Sequence, residues 1–396
     1  MLELLLAGAG ICLILIRSDR YWQALGLGLA AVGTHLTLNR LAPHLGLPVE
    51  VTMLAILAVA LWLLLATGEP NRPWFHLEER GPLIYVAMLP FAAACLWAIL
   101  TQNLLWLYVA VEVTTLTSAP LIALRSKPAA YKYLLMNILG LTAALAGLAI
   151  MQSDPLTPRD AAIAGALLLA GLGTKAGLVP LHGWLPDAYE HCPAAFAPLF
   201  AGVGTKVALL AMIQTLPPLI AMVPALGTAT VVIACITMLV GVVAAFGQDD
   251  LRRMLAYSSV SQSGYIAMGI GVGGLAAAQM HIVSHGLLKA LLFLCVACLP
   301  TASIKALEGR PQKRWVGILF LVGALGLGGV PPLPAFWSKF ALFAAGARGG
   351  YPWATGVAVG VSLLTITLLV RAGSRIFLTR AEEGGEHAHG MAAADD

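Results

Sequence analysis

Charged side chains are scarce in this chain of 396 residues: Lys, Arg, Asp and Glu together make up 11%. Soluble globular proteins carry about 25%, because their surfaces face water. The scarcity excludes a water-soluble enzyme, a nucleic-acid binder and a disordered scaffold. Long basic runs are absent and the net charge is only +4, so the chain offers nucleic acid no electrostatic footprint. The ten-residue polar/apolar alternation of an outer-membrane barrel is missing as well. Cysteines number six and lie mostly in apolar runs. Cys295 and Cys298 form a CxxC, but inside LLFLCVACL, where two small hydrophobes packed in a helix are expected rather than a redox or metal site. No basic leader precedes the apolar residues 2–16, so these are expected to form a first membrane helix and not a cleaved signal.

What is plentiful is hydrophobicity, at 59% of residues. A spanning helix needs about 20 mostly apolar residues. On that measure the chain reads as an all-α polytopic membrane protein. Thirteen spans are expected near 2–17, 22–38, 50–67, 82–100, 104–122, 130–152, 161–181, 194–214, 219–247, 254–273, 276–298, 316–347 and 353–378. A polar, His/Glu-rich tail follows from residue 381 to 396. Loops after odd-numbered spans hold sixteen Lys and Arg, and loops after even-numbered spans hold Arg40, Arg159 and Arg348. That bias predicts an N-terminus facing the periplasm and a C-terminus facing the cytoplasm of an inner membrane.

Sixteen and three leave four of the 23 Lys and Arg residues outside those loops, all of them lysines within spans: Lys175, Lys206, Lys289 and Lys339. Glu112, in the fifth span, is the one deep carboxylate. Each such group costs roughly 2.5–3.5 kcal/mol near the bilayer centre, which points to function. Thr114, Thr115, Thr117 and Ser118 accompany Glu112 and offer hydroxyls for a proton relay. In the eleventh span His281, His285 and Lys289 stand at i, i+4 and i+8 and share one face, each step turning about 40°. A histidine titrates near neutrality and passes protons readily. No carboxylate or cysteine accompanies the pair, so a proton chain is favoured over a metal site.

Two spans carry helix breakers, Pro180 in the seventh and Pro331-Pro332 in the twelfth, each in a glycine-rich setting. A helix broken inside a membrane is tolerated only where its freed backbone faces protein or a wet cavity. The breaks are five spans apart, and an odd number makes the repeat inverted. Paired interrupted helices in inverted halves point to an ion-transport site near the midplane. The expected organisation is a three-helix segment at 1–81, a first repeat at 82–217 and a second at 218–380. Sodium would want oxygen ligands, whereas this core offers one carboxylate against four lysines. A buried lysine with a movable partner can load and unload a proton, so the proton is the expected ion.

The stretches LWLYVAVEVTTLTSAPLIAL, AAYKYLLMNILG, GLGTKAGLVPLHGWLPDAYEHCPAAFAPLFAGVGTKVALL, DDLRRMLAYSSVSQSGYIAMG, HIVSHGLLKALLF and GGVPPLPAFWSKF run in order between residues 82 and 378. Together they resemble the antiporter-like family of complex I, Mrp cation/proton antiporters and membrane-bound group 4 hydrogenases. The fifth span looks closest to the hydrogenase-4 and formate hydrogenlyase branch. The resemblance implies an ion pair between Glu112 and Lys175 gating a half-channel, with Lys206 as the connecting lysine. It further implies that His281, His285 and Lys289 continue the polar axis and that Lys339 mirrors Lys175 near the exit. It implies a proton-translocating subunit without cofactor or metal of its own, not a catalyst alone. Its partners would be further membrane subunits, a cytoplasmic redox arm and the lipid bilayer, with no nucleic acid. An Mrp-type antiporter without redox chemistry is the alternative. Residues 1–70 match the family poorly, and the fourteenth helix and long lateral helix of larger members are not found.

Overall fold

The computed structural model describes residues 82–378. The expected first three spans and the polar tail lie outside them. Within them all ten remaining spans are helical, and no strand is present among the described residues. The helices are α1 (Pro82–Leu100), α2 (Leu104–Ala123), α3 (Lys127–Met151), α4 (Pro158–Ala176) and α5 (Trp184–His191), then α6 (Ala197–Met222), which carries a π turn at Phe200–Gly204. They continue with α7 (Pro224–Phe246), α8 (Leu251–Gly271), α9 (Leu275–Ala297), the short α10 (Ile304–Leu307), α11 (Arg314–Gly328), α12 (Pro334–Arg348) and α13 (Pro352–Phe377).

Local sequence sets most of these starts. Asn103 accepts from the amides of Leu105 and Trp106, Ser126 from Ala129, Thr157 from Asp160, and Asp250 from Arg253. These are N-caps that satisfy donors the first helical turn cannot. Pro224, Pro334 and Pro352 each open a helix, where a missing N–H costs nothing. The eighth and ninth spans depart from expectation. Pro217 and Pro218 stay inside α6, which runs on to Met222, and the break falls at Val223. Proline's fixed φ is itself helical, so the pair did not end the helix.

The broken spans are stopped by glycine rather than proline. Gly177, at φ 76°, ends α4, and Gly329, at φ 90°, ends α11. Both conformations are left-handed, where a Cβ is penalised. Each stop has the same two hydrogen bonds. Leu178 N reaches back to Gly173 O and Gly177 N to Thr174 O; Val330 N reaches Leu325 O and Gly329 N reaches Gly326 O. This is the Schellman arrangement. Pro180, Pro331 and Pro332 occupy the connecting turns beyond it.

α6, α8 and α9 form the centre. Along the apolar stretch of α6, 94% of residues are buried, against 28% for α3 on the periphery. α5 and α6 carry the contacts of the first group of helices to α8 and α9 of the second. α8 is buried along nearly its whole length although it holds Ser258, Ser259, Ser261, Gln262 and Ser263. A polar row at the middle of an apolar bundle must be explained by what it faces.

Candidate functional site

The four span lysines are all buried, and each reaches neutral oxygens. Lys175 Nζ, two residues before the α4 stop, donates to Thr115 Oγ1 at 2.9 Å and to Tyr133 Oη at 2.7 Å. Tyr133 Oη lies 2.7 Å from Ser118 Oγ, and Ser118 donates to Thr114 O at 2.6 Å. With the serine hydrogen committed there, the tyrosine donates to the serine. A directed row therefore runs from Lys175 through Tyr133 and Ser118 to the α2 backbone. Tyr133 was not singled out in the sequence; only its place on the neighbouring α3, packed edge-on by Phe200 and beside Trp184, reveals it.

Glu112 is half-buried and accepts from Tyr108 Oη, one turn back, at 3.2 Å. No direct ion pair joins it to Lys175, which departs from the expected contact. The ion pairs among the described residues lie elsewhere. Glu112 remains within electrostatic reach of Lys175. The reason is rotational: Thr115 and Ser118 occupy the α2 face turned to the lysine, and Glu112 sits one step round the helix.

Lys206 follows the π turn of α6 and donates back to Ala201 O at 2.5 Å and to Thr205 Oγ1 at 3.3 Å. A π turn shifts the backbone ladder by one residue and is common at functional sites; here its carbonyl is taken up by the ammonium. The same turn lies against α9, with the Gly202 position facing Gly286 O and Ala290. Lys206 is thereby brought within electrostatic reach of His285 and Lys289.

On α9 the predicted face is present. The His281 and His285 rings stack with centroids 6.1 Å apart and planes 9° apart. Lys289 Nζ donates to Leu255 O at 2.7 Å and, closely, to Ser258 Oγ. His281 contacts Gln262 Oε1 at 3.0 Å and Ser338 Oγ at 2.9 Å. His285 is buried with no protein partner on either nitrogen. Of the polar row of α8, Ser258 and Gln262 thus face the α9 lysine and histidine, while Ser261 packs against Gly241 of α7. Among the described residues no three His, Cys, Asp or Glu side chains come together as a metal-ligating group.

Lys339 Nζ lies 2.9 Å from Leu327 O, 3.3 Å from Gly328 O and 3.0 Å from Ser362 Oγ, with the Tyr265 ring centroid 4.9 Å away. Ser362 itself donates to Gly328 O at 2.8 Å. Lys339 lies in the second broken span as Lys175 lies in the first, but on the other side of its stop. Lys175 precedes its glycine stop by two residues, while Lys339 follows Gly329 by ten and reaches back to the end of α11. The carbonyl end of a half-helix carries partial negative charge, and that is where this ammonium rests.

Beyond the spans, α5 places Asp187 and Glu190 in a cluster the sequence did not show. Lys132 Nζ lies 2.6 Å from Asp187, and Arg253 lies 2.8 Å from Asp187 and 2.6 Å from Glu190. Burial works to raise the Asp187 carboxyl, but hydrogen bonds from Lys132 and Arg253 outweigh it and hold the group below the ordinary carboxylate range. The cluster ties α3, α5 and α8 together at one end of the bundle.

Known proteins share this architecture. A protein of the Mrp complex of Dietzia sp. DQ12-45-1b superposes with a TM-score of 0.76 at 24% identity, over 96% of this chain and 79% of that one. A chain of respiratory complex I from Thermus thermophilus superposes at 0.72 with 27% identity, over 96% and 91%. In sequence, NAD(P)H-quinone oxidoreductase subunit 5 of the Paulinella chromatophora chromatophore is 30% identical over 82% of this chain and 54% of its own length. An Na(+)/H(+) antiporter subunit from Alkalihalophilus pseudofirmus is 32% identical over 69% and 61%. The chain spans only 27% of the chloroplast subunit 5 of Dioscorea elephantipes, at 34% identity. It therefore covers between about a quarter and three fifths of these relatives' lengths. The family model for the NADH:quinone oxidoreductase/Mrp antiporter transmembrane region matches residues 156–366, more than half of the chain. With the broken helices, the buried lysines and this match together, the chain belongs to the NADH:quinone oxidoreductase/Mrp antiporter transmembrane family.

Proposed function

We propose that the chain is a proton-translocating membrane subunit of a redox-driven assembly, of complex I-like or energy-converting hydrogenase-like kind. Protons move along Glu112, Lys175, Lys206, Lys289, His285, His281 and Lys339. The observation that carries this reading is the set of four buried lysines bonded to neutral oxygens, with two stacked histidines between them. Charged groups in a membrane interior are expensive and mark ion pathways. Neutral acceptors let a lysine hold a proton without binding it permanently, as a close carboxylate would.

The redox chemistry belongs to a cytoplasmic arm, and other membrane subunits sit alongside this one. The hydrogenase-4 branch rests on the wording of the span around Glu112. The repeat boundaries at 82–217 and 218–380, and the inner-membrane placement with the C-terminus in the cytoplasm, belong to the same reading. Reporter fusions after Arg253 and Arg314 should read cytoplasmic, and one after Arg159 periplasmic.

The likeness to an Na(+)/H(+) antiporter protein favours a second reading, an Mrp-type antiporter without a redox partner. Purification of the native assembly in mild detergent separates the two. Dehydrogenase- or hydrogenase-like partners and acidification of inverted vesicles driven by their electron donor support the first. Small membrane subunits alone, with sodium-dependent exchange, support the second and overturn the first.

A further inference from the structure

The surroundings of His281 leave one atom with a choice. Its Nε2 faces Gln262 Oε1 at 3.0 Å, and an amide oxygen only accepts, so with the amide in this orientation Nε2 carries a hydrogen whether the ring is neutral or charged. Its Nδ1 faces Ser338 Oγ at 2.9 Å. Ser338 Oγ also lies 3.2 Å from Ala335 O, one turn back on α12. A hydroxyl has one hydrogen to give and can accept as well.

We propose that Ser338 is a positioning residue for the transported proton, its hydroxyl turning between His281 Nδ1 and Ala335 O. In the neutral state the serine donates to Nδ1. When a proton arrives it occupies Nδ1, which now donates to Ser338 Oγ, and the serine's own hydrogen turns to Ala335 O. On release the two movements reverse. Every polar atom of the ring keeps a partner in both states, and no heavy atom has to move. The inference rests on the proton-translocating reading above and assigns one of its steps to a residue outside the predicted row.

The rest of the setting makes this support necessary. The titratable groups facing the ring are His285 on its own helix, Tyr265 on α8, Lys206 on α6 and Lys339 on α12. None of them is a carboxylate. Tyr265 donates its hydroxyl hydrogen to Ala358 O at 2.6 Å, so it gives His281 only its ring, with centroids 5.6 Å apart. A charged imidazole here draws its stabilisation from hydrogen-bond acceptors, and Ser338 is the one that can serve both charge states.

The test compares Ser338→Ala and Ser338→Thr in the native assembly, reading donor-driven proton pumping in vesicles across pH. Alanine leaves Nδ1–H of the charged ring without an acceptor. Loss of a hydrogen bond to a charged group should slow pumping about tenfold and displace the pH profile about one unit towards acid. Threonine keeps the hydroxyl and should restore rate and profile. An alanine variant with the native profile, or a threonine variant as damaged as alanine, overturns the proposal.

Nitrogen-15 NMR of histidine-labelled native assembly supplies a readout that needs no variant. Neutral His281 should be the Nε2–H tautomer and should gain a hydrogen on Nδ1 as pH falls. A neutral Nδ1–H tautomer overturns the switch. Absence of pumping by the native assembly would instead remove the transport reading, and the tautomer would still decide the switch.

Discussion

Lys175 and Lys339 sit beside the two broken helices, and their surroundings differ. Lys175 precedes its glycine stop and reaches two side-chain hydroxyls on neighbouring helices, Thr115 and Tyr133. Lys339 follows its stop and finds three acceptors, two of them carbonyls at the end of α11. Three acceptors match the three hydrogens of an ammonium; two do not. The same backbone device, a Schellman stop at a left-handed glycine, therefore presents one lysine to exchangeable hydroxyl partners and the other to a fixed cage. A repeated break does not by itself repeat the chemistry at it.

The largest expected effect breaks the cage. Lys339→Ala removes the charge, and Lys339→Arg keeps it in a planar fork that does not usefully deprotonate. Both should lower proton pumping by roughly tenfold or more, alanine because it loses the buried charge with its hydrogen bonds and arginine because it cannot release the proton. Pumping undiminished in Lys339→Arg would reduce the residue to an anchoring charge and remove it from the pathway.

A smaller and more graded effect is expected at Lys175. Tyr133→Phe removes one of its two acceptors and the link to Ser118, and should slow pumping severalfold while the assembly stays intact. Glu112→Gln removes the carboxylate that acts on Lys175 through space, and should slow pumping more than Tyr133→Phe does but less than the Lys339 variants, with insertion unchanged. Measured together in vesicles, the two variants sharpen the comparison. Full pumping by Glu112→Gln would end its gating role, and full pumping by Tyr133→Phe would mean that Lys175 does not need its hydroxyl partners.

The smallest effect concerns the ionic cluster under the first break. The Asp187 carboxyl is held below its ordinary range, so its folded value lies under its unfolded one. Its contribution to stability is present above the unfolded value and is lost as pH falls through the folded value, below the usual carboxylate range. Part-exposed pairs of this kind contribute a few tenths to about 1 kcal/mol each. Thermal unfolding in detergent should show Asp187→Asn slightly less stable than the parent at neutral pH, with the gap closing in strong acid. A gap independent of pH would show that packing, not charge, is what Asp187 supplies.

Sequence alone determined the membrane class, the ten described spans, which two of them are broken and the identity of every buried lysine and histidine. It could do so because an apolar environment is unforgiving: hydrophobic length sets a span, and an ionisable residue inside one is conspicuous. It also set the face shared by His281, His285 and Lys289, since helical periodicity fixes which side chains align. Partners across helices were beyond it. That Lys175 meets Tyr133 and not Glu112, that Lys339 turns back to α11, and that Ser338 and Gln262 bracket His281 depend on how helices far apart in the chain rotate and pack. Asp187 joined to Lys132 and Arg253 is of the same kind, spanning 55 and 66 residues. Hydroxyls, amides and carbonyls are common in such a sequence and carry no mark of use. Only the tertiary structure, by bringing them within hydrogen-bonding distance of a buried charge, decides which of them matter.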